Sequence, residues 1–252
     1  MSFNIRFDTP ADADAGNRWA DRRGSVIETI QRFDPDVVGL QEVLRSQLDD
    51  LEAAFPDHGV IGEPRETGAL GEYVPILFRR DRFEAEQHGD FWLSPTPETS
   101  GSRGWDAGNP RHCTWARLHD RSSGLRAAVF NTHLDRWGML ARVEASRLIV
   151  AKAALTPDLP TVVMGDLNAP EVSEPLATFR SAGLLDTFRE VDPDRGDVQT
   201  IHHYTEFSGP KKIDFILCDR RWGVVTAEII REPAEGRLPS DHYPVAAVLR
   251  PA

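Results

Sequence analysis

Residues 160–168 read Pro-Thr-Val-Val-Met-Gly-Asp-Leu-Asn. Pro160 introduces an apolar run of strand length, Thr161–Gly165, which ends by presenting two polar side chains, Asp166 and Asn168. In extended backbone, residues two apart project the same way, so the acid and the amide serve one locus. One can take or orient a proton of water while the other bonds the same nucleophile or a phosphate oxygen. Alone, an Asx-rich turn before Pro170 has the same composition.

The pattern does not stand alone. Working outward, the strand-like AAVFNTHL (127–134) ends at Asn131-Thr132-His133, and KIDFIL (212–217) carries Asp214. The run Val37–Leu40 ends at Gln41-Glu42, the N-terminal SFNIR holds Asn4, and Ser240-Asp241-His242 precedes the run Val245–Leu249. Between these segments, helical spacing predicts helices over Arg22–Phe33, Leu44–Phe55, Gly138–Leu155 and Glu174–Ala182. Strands are expected around Val60 and over Tyr73–Phe78, Phe83–Leu93, Thr114–Leu118, Arg126–Asn131, Ile213–Cys218 and Val224–Ile230. Few helices and many hairpin-linked strands exclude an all-parallel nucleotide-binding sheet. Two packed, mainly antiparallel sheets with helices on both outer faces are expected, as one domain over 1–252. The Pro-, Gly- and Ser-rich stretch Ser94–Pro110 reads as a long functional or disordered loop.

The chain has 252 residues, 40% of them hydrophobic, enough for a sizeable core. Its apolar runs are too short to cross a bilayer, and no secretory signal pattern opens the sequence, so a cytoplasmic location is expected. A net charge of −11 disfavours tight adhesion to nucleic acid or anionic membrane. Cys113 and Cys218 sit in apolar runs and read as small buried hydrophobes.

Each polar motif has its own chemistry. Glu42 and Asp241, with Asn4 adding an amide oxygen, suit a hard divalent cation such as Mg²⁺. His133 and His242 offer imidazoles that shuttle a proton or, when charged, stabilise phosphoryl oxygens. Asp214 has two readings: it orients His242 as triad carboxylates do, or it pairs with Lys211 or Lys212. No Cys/His spacing supports structural zinc, and His202-His203 reads as loop rather than ligand.

In this order, and over essentially the whole chain, the motifs resemble those of the endonuclease/exonuclease/phosphatase superfamily. The resemblance implies a four-layer α/β/β/α sandwich and hydrolysis of phosphate esters with Mg²⁺ or Mn²⁺. It places the metal-binding Glu and Asn on Glu42 and Asn4, and the Asp-x-Asn pair on Asp166 and Asn168. The terminal Asp-His falls on Asp241 and His242, with Asp214 supporting the imidazole. The Thr-His at 132–133 looks like the deoxyribonuclease, sphingomyelinase, inositol-phosphatase and deadenylase branches rather than abasic-site repair enzymes. GEYVPIL (71–77) and PRHCTWARL (110–118) look like poorly characterised prokaryotic members. Arg111 is then either a phosphate clamp or a surface ion pair, and Tyr73 either a phosphate contact or a core residue with a wet hydroxyl. Trp92, Trp105 and Trp137 line a substrate wall or pack in the core.

The sequence thus predicts a Mg²⁺- (or Mn²⁺-) dependent phosphoesterase, a phosphodiesterase first. Its expected substrate is a small molecule; a monomer without stable membrane association is also expected. The alternatives are a phosphomonoesterase on sugar or inositol phosphates, or a nuclease if Arg65, Arg79, Arg80, Arg103 and Arg111 converge on one rim. An inactive binding module ranks last.

Overall fold

Alternation along neighbouring strands sorts the apolar residues into three separate cores. The computed structural model describes residues 1–68, 71–196, 198–204 and 212–252; Lys211 lies outside the described residues. The chain begins with β1 (Ser2–Asn4), α1 (Trp19–Phe33), β2 (Val37–Gln41), α2 (Arg45–Ala54), β3 (His58–Ile61) and β4 (Ile76–Arg79). Next come β5 (Phe83–Trp92), β6 (His112–Asp120), β7 (Arg126–His133), α3 (Met139–Ala153) and β8 (Thr161–Asp166). It closes with α4 (Glu174–Ser181), β9 (Leu185–Asp186), α5 (Thr187–Val191), β10 (Asp214–Cys218), β11 (Trp222–Ile229) and β12 (Val245–Pro251).

The strands form two six-stranded sheets, ordered β11-β12-β1-β2-β4-β3 and β5-β6-β7-β8-β10-β9. Pairing is antiparallel except for β1 with β2 and β7 with β8. On β8 and β10, Val163, Phe215 and Leu217 face one way, into a core with Ala145 and Ile149 of α3 and Phe179 of α4. Val162, Met164, Ile216 and Cys218 face the other way and meet Ile76, Phe78 and Val245 of the opposite sheet. That sheet's outer face packs Phe3, Val38 and Leu40 against Val26 and Ile30 of α1 and Leu48 and Leu51 of α2. Helices, sheet, sheet and helices therefore stack as four layers, as the motif order implies. Cys113 and Cys218 are free and buried within this packing. No helix among the described residues is long and apolar enough to cross a membrane.

Two details differ from the periodicity. The expected strand Tyr73–Phe78 becomes regular only at Ile76, because Tyr73 instead bridges to Val43. The short β9 and α5 were not foreseen; their seven residues are too few to carry a readable period.

Close approach of the layers needs glycine at two places. A Cβ on Gly39 would lie 2.6 Å from Asn131 Oδ1, and one on Gly165 would lie 1.9 Å from the Thr132 carbonyl. Gly165 has φ +147 and stands directly before Asp166, so the tight β7–β8 contact brings Asp166 beside His133.

Candidate active site

The ends of β1, β2, β7, β8 and β10 open on one cleft of about 340 Å³. Glu42, Arg111, His133, Asp166, Asn168, Asp241 and His242 line it, as do Arg6, Arg65, Glu72, Asn109, Arg136, Trp137 and His203. A larger cavity of about 560 Å³ lies between the sheets near Met1, Leu118 and Trp222. Its charged groups neutralise one another, since Arg82 bonds both Asp36 and Asp120, and its walls are largely apolar. The chemistry belongs to the smaller cleft.

Asp166 is the hub. It is 2% exposed, accepts the Asn4 amide at 3.0 Å and the Asn168 backbone N–H at 2.9 Å, and lies 3.4 Å from His133 Nε2. Burial first, then the Asp214 charge, pushes its carboxyl up to about 7. Such a group switches between acid and base near neutrality.

His242 meets Asp214 through Nδ1 at 2.9 Å, and its Nε2 is 3.9 Å from Asp166. Burial disfavours the imidazolium, but the charge and hydrogen bond of Asp214, helped by Asp166 and Asp241, raise its pKa well above 6.5. Of the two sequence readings for Asp214, orientation of the imidazole is the observed one; Lys212 is instead 2.6 Å from Asp186. Thr200 Oγ1 accepts the backbone N–H groups of Ile213 and Asp214, fixing the carboxylate's own strand.

His133 has the opposite character. Burial first, then the charges of Arg111 and His242, lower its pKa well below 6.5, so it is neutral. Asn168 donates one amide proton to the Leu134 carbonyl and the other to His133 Nε2, each at 3.0 Å. His133 therefore carries its proton on Nδ1, and the oxygen of the Asn168 amide is left as an acceptor.

Glu42 and Asp241, expected from the sequence as metal ligands, flank strands β2 and β12 of the opposite sheet. Glu42 Oε1 accepts from Asn4 and Oε2 from the Phe7 N–H, both at 3.1 Å. Asp241 is 3.9 Å from Arg6 Nη1 and 3.9 Å from His203 Nδ1. Burial works to raise the Asp241 pKa, but His203, His242 and Arg6 together pull it well below the ordinary carboxylate range. Ser240 Oγ donates to the Asn4 carbonyl at 2.6 Å and so joins the last motif to the first strand.

Three sequence readings change. Asn4 does not offer its amide oxygen to the cleft: Oδ1 accepts the Arg6 N–H at 3.0 Å, while Nδ2 bridges Glu42 and Asp166. In this structure it links two carboxylates. Tyr73 does not line the cleft; it is 4% exposed and packs in the α1/α2 core, with the Arg45 guanidinium over its ring. Adjacent extended residues point to opposite faces, so it is Glu72 that enters the cleft. Arg111 is no surface ion pair, being 8% exposed on the cleft wall. Its contacts to Glu72 and Asp135 are long, 3.7 and 3.8 Å, and its Nε has no hydrogen-bond partner among the described residues.

The five arginines do not all converge. Arg65 and Arg111 line the cleft and Arg103 bonds the Gly108 carbonyl, but Arg79 pairs with Asp34 and Asp81 at the far end of β4, and Arg80 bonds the Pro56 carbonyl.

Other contributors were not legible. Arg22, fully buried on α1, donates to the carbonyls of Ile5, Arg6, Phe7, Asn17 and Pro239, holding together the loops after Asn4 and before Asp241. Arg6, Glu42 and Asn168 adopt positive φ (59°, 61° and 45°). Asn tolerates this conformation; for Glu it is strained, a state that persists where surrounding structure imposes it. His203, read as loop, lines the cleft. The adjacent His202-His203 pair and the Gly-Glu-Tyr triplet were the available signals.

One cleft thus brings together a buried acid with a raised pKa, an imidazole bonded to a carboxylate and two further carboxylates. The chain belongs to the Endonuclease/Exonuclease/phosphatase family, whose profile matches residues 1–242. Members of this family are metal-dependent phosphoesterases. A family structure from Bacteroides vulgatus is 32% identical, covers 100% of this chain and 97% of its own, and superposes with a TM-score of 0.91. The mannosyl-6-phosphatase Bt3783 of Bacteroides thetaiotaomicron VPI-5482 is 31% identical over 99% of this chain and 98% of its own, with a TM-score of 0.90. Nocturnin of Drosophila melanogaster is 28% identical over 198 residues, 71% of this chain and 29% of that protein. The chain spans less than a third of the length of the curated relatives it matches.

Proposed function

We propose that this chain hydrolyses phosphate monoesters of small polyhydroxylated molecules, with a sugar phosphate as the favoured class. The observation that carries this reading is Arg111: a buried guanidinium, in the cleft that Asp166 and His242 also line, whose Nε makes no hydrogen bond among the described residues. A buried donor of this kind calls for an acceptor, and a phosphoryl group supplies one bidentately. Arg65 lines the same cleft. A volume near 340 Å³ is at the small end for ligand sites, suited to one sugar phosphate rather than a polymer. Arg79 and Arg80 lie away from the cleft, and the resemblance to a mannosyl-6-phosphatase favours the sugar phosphate.

The donor chemistry fits a hard divalent cation, Mg²⁺ or Mn²⁺. Glu42 and Asp241 are carboxylates on one cleft wall, and oxygen-only sets suit these ions. Among the described residues, Asp166, Asp214 and His242 also bring ligand atoms within 4.8 Å, but His242 is held protonated and Asp214 is occupied by it. When bound, the cation supplies charge that polarises a phosphoryl oxygen and stabilises the leaving alkoxide.

The remaining work falls to the chain. Asp166 takes the proton of the attacking water, since its raised pKa matches a base operating near neutrality. Asn168, with both amide protons committed, holds that water through its oxygen. His242 is charged and therefore donates to a phosphoryl oxygen instead of accepting a proton. Neutral His133 offers its Nδ1–H from the other side, and Arg111 orients the phosphate.

The test is phosphate release from mannose 6-phosphate and p-nitrophenol release from bis-p-nitrophenyl phosphate, with Mg²⁺, Mn²⁺ or EDTA. Metal-dependent hydrolysis of the monoester supports the reading. Preference for the diester would return the assignment to a phosphodiesterase.

A further inference from the structure

Trp137 is 70% exposed, whereas Trp19 and Trp92 are 6% and 7% exposed. Packing does not require an exposed indole there, yet the residue is held in place. The backbone N–H groups of Trp137 and Gly138 both donate to Asp135 Oδ1, at 3.0 and 2.7 Å. The indole edge rests on the Ser94–Pro110 loop, where a Cβ on Gly108 would come within 3.0 Å of Trp137 Cδ1. That loop is itself tied down: Asp106 accepts the N–H groups of Leu140 and Ala141 at the start of α3. Asn109 donates to Asp135 Oδ2. The Arg136 guanidinium stands over the ring, 5.0 Å from its centroid, and both side chains line the cleft.

The same Asp135 carboxylate lies 3.8 Å from Arg111 Nε. One buried group therefore sets the spacing between an aromatic plate and the arm assigned to the phosphate. An amide residue (Asn109), a guanidinium (Arg136) and a carboxylate (Glu72) line the same cleft as Trp137. An aromatic face bordered by such donors and acceptors matches a pyranose, which has an apolar C–H face and hydroxyls at its edge. A nucleobase needs the plate but not the surrounding hydroxyl partners.

We propose that Trp137 is a specificity-determining platform that stacks against the pyranose ring of the leaving group, so that ring sugars bind in preference to acyclic phosphates. This rests on the monoesterase reading of the same cleft.

The experiment compares a hexose 6-phosphate with glycerol 3-phosphate, both esters of a primary alcohol, in wild type, Trp137→Ala and Trp137→Phe. Because the side chain is exposed, neither variant should disturb folding. Trp137→Ala is expected to raise KM for the hexose phosphate about tenfold more than for glycerol 3-phosphate, mainly in KM and not kcat, with Trp137→Phe recovering most of the loss. Equal effects on both substrates, or none on either, would overturn the platform. Binding is read separately, by titration calorimetry with hexose 6-phosphate in EDTA. Binding lost in Trp137→Ala, without hydrolysis by wild type, would keep the platform and reject the monoesterase. Hydrolysis indifferent to Trp137 would do the reverse. Tighter, Trp137-dependent binding of a nucleoside monophosphate would overturn the sugar assignment.

Discussion

The side-chain amide of Gln41, in one sheet, donates a 2.7 Å hydrogen bond to Oδ1 of Asn131, in the other. Asn131 Nδ2 in turn reaches the carbonyls of Leu40, Val74 and Pro75 at 2.8–3.0 Å. These motif residues are welds between sheets, and each stands next to, or two residues from, a cleft residue: Glu42 and His133. Asn131→Ala strands several fully buried polar groups at once. Unfolding in urea should show a loss of about 2–4 kcal/mol, with turnover falling as the two walls lose register. A loss below about 0.5 kcal/mol would mean the weld is dispensable.

Asp214→Asn removes the charge that sustains the His242 imidazolium. Because the folded-state pKa of His242 is raised, its protonated form persists above 6.5 and is lost only as pH rises through the raised value. The alkaline limb of kcat/KM should therefore move to lower pH in the variant, and turnover at neutral pH should drop by roughly 10²–10⁴. An unmoved limb would detach Asp214 from His242.

Asp90 provides a pH test away from the cleft's carboxylates. Burial lifts its pKa from 3.8 to about 6, against the opposing hydrogen bond from Thr114 at 2.6 Å. A carboxyl raised on folding favours the native state fully below its unfolded pKa, and that contribution is lost as pH rises through about 6. Asp90→Asn keeps an acceptor for Thr114 without the charge. Its melting temperature should match wild type near pH 4 and exceed it at pH 8, by an amount equivalent to roughly 2–3 kcal/mol. Equal melting temperatures at pH 8 would refute the desolvation argument.

Tyr73 and Arg111 separate a core residue from a cleft residue. Tyr73→Phe keeps the packed ring and should leave KM within about twofold, whereas Arg111→Ala should raise it by about 10-fold or more. Calorimetry of phosphate binding to both variants checks the contrast.

The fold and most of the cleft were readable because strands alternate and the polar motifs end apolar runs. Asp166 after TVVMG and His133 after AAVF are fixed to one cleft by the β7–β8 register alone. What escaped reading depends on backbone direction and on contacts distant in sequence. Tyr73 and Glu72 exchange places through a single reversal of side-chain direction. Asn4 turns its nitrogen inward because the Arg6 N–H claims its oxygen. Arg22, on a helix that otherwise shows ordinary polar positions, is buried by loops that follow β1 and precede Asp241. No periodicity reports such contacts.

The proposed mechanism rests on Asp166 as the base of a metal-assisted hydrolysis. The most direct measurement is kcat for a phosphate monoester by Asp166→Asn with saturating Mg²⁺, beside its thermal midpoint. The account predicts a fall of about 10³-fold or more with the fold retained. Turnover within about tenfold of wild type in the folded variant would contradict it.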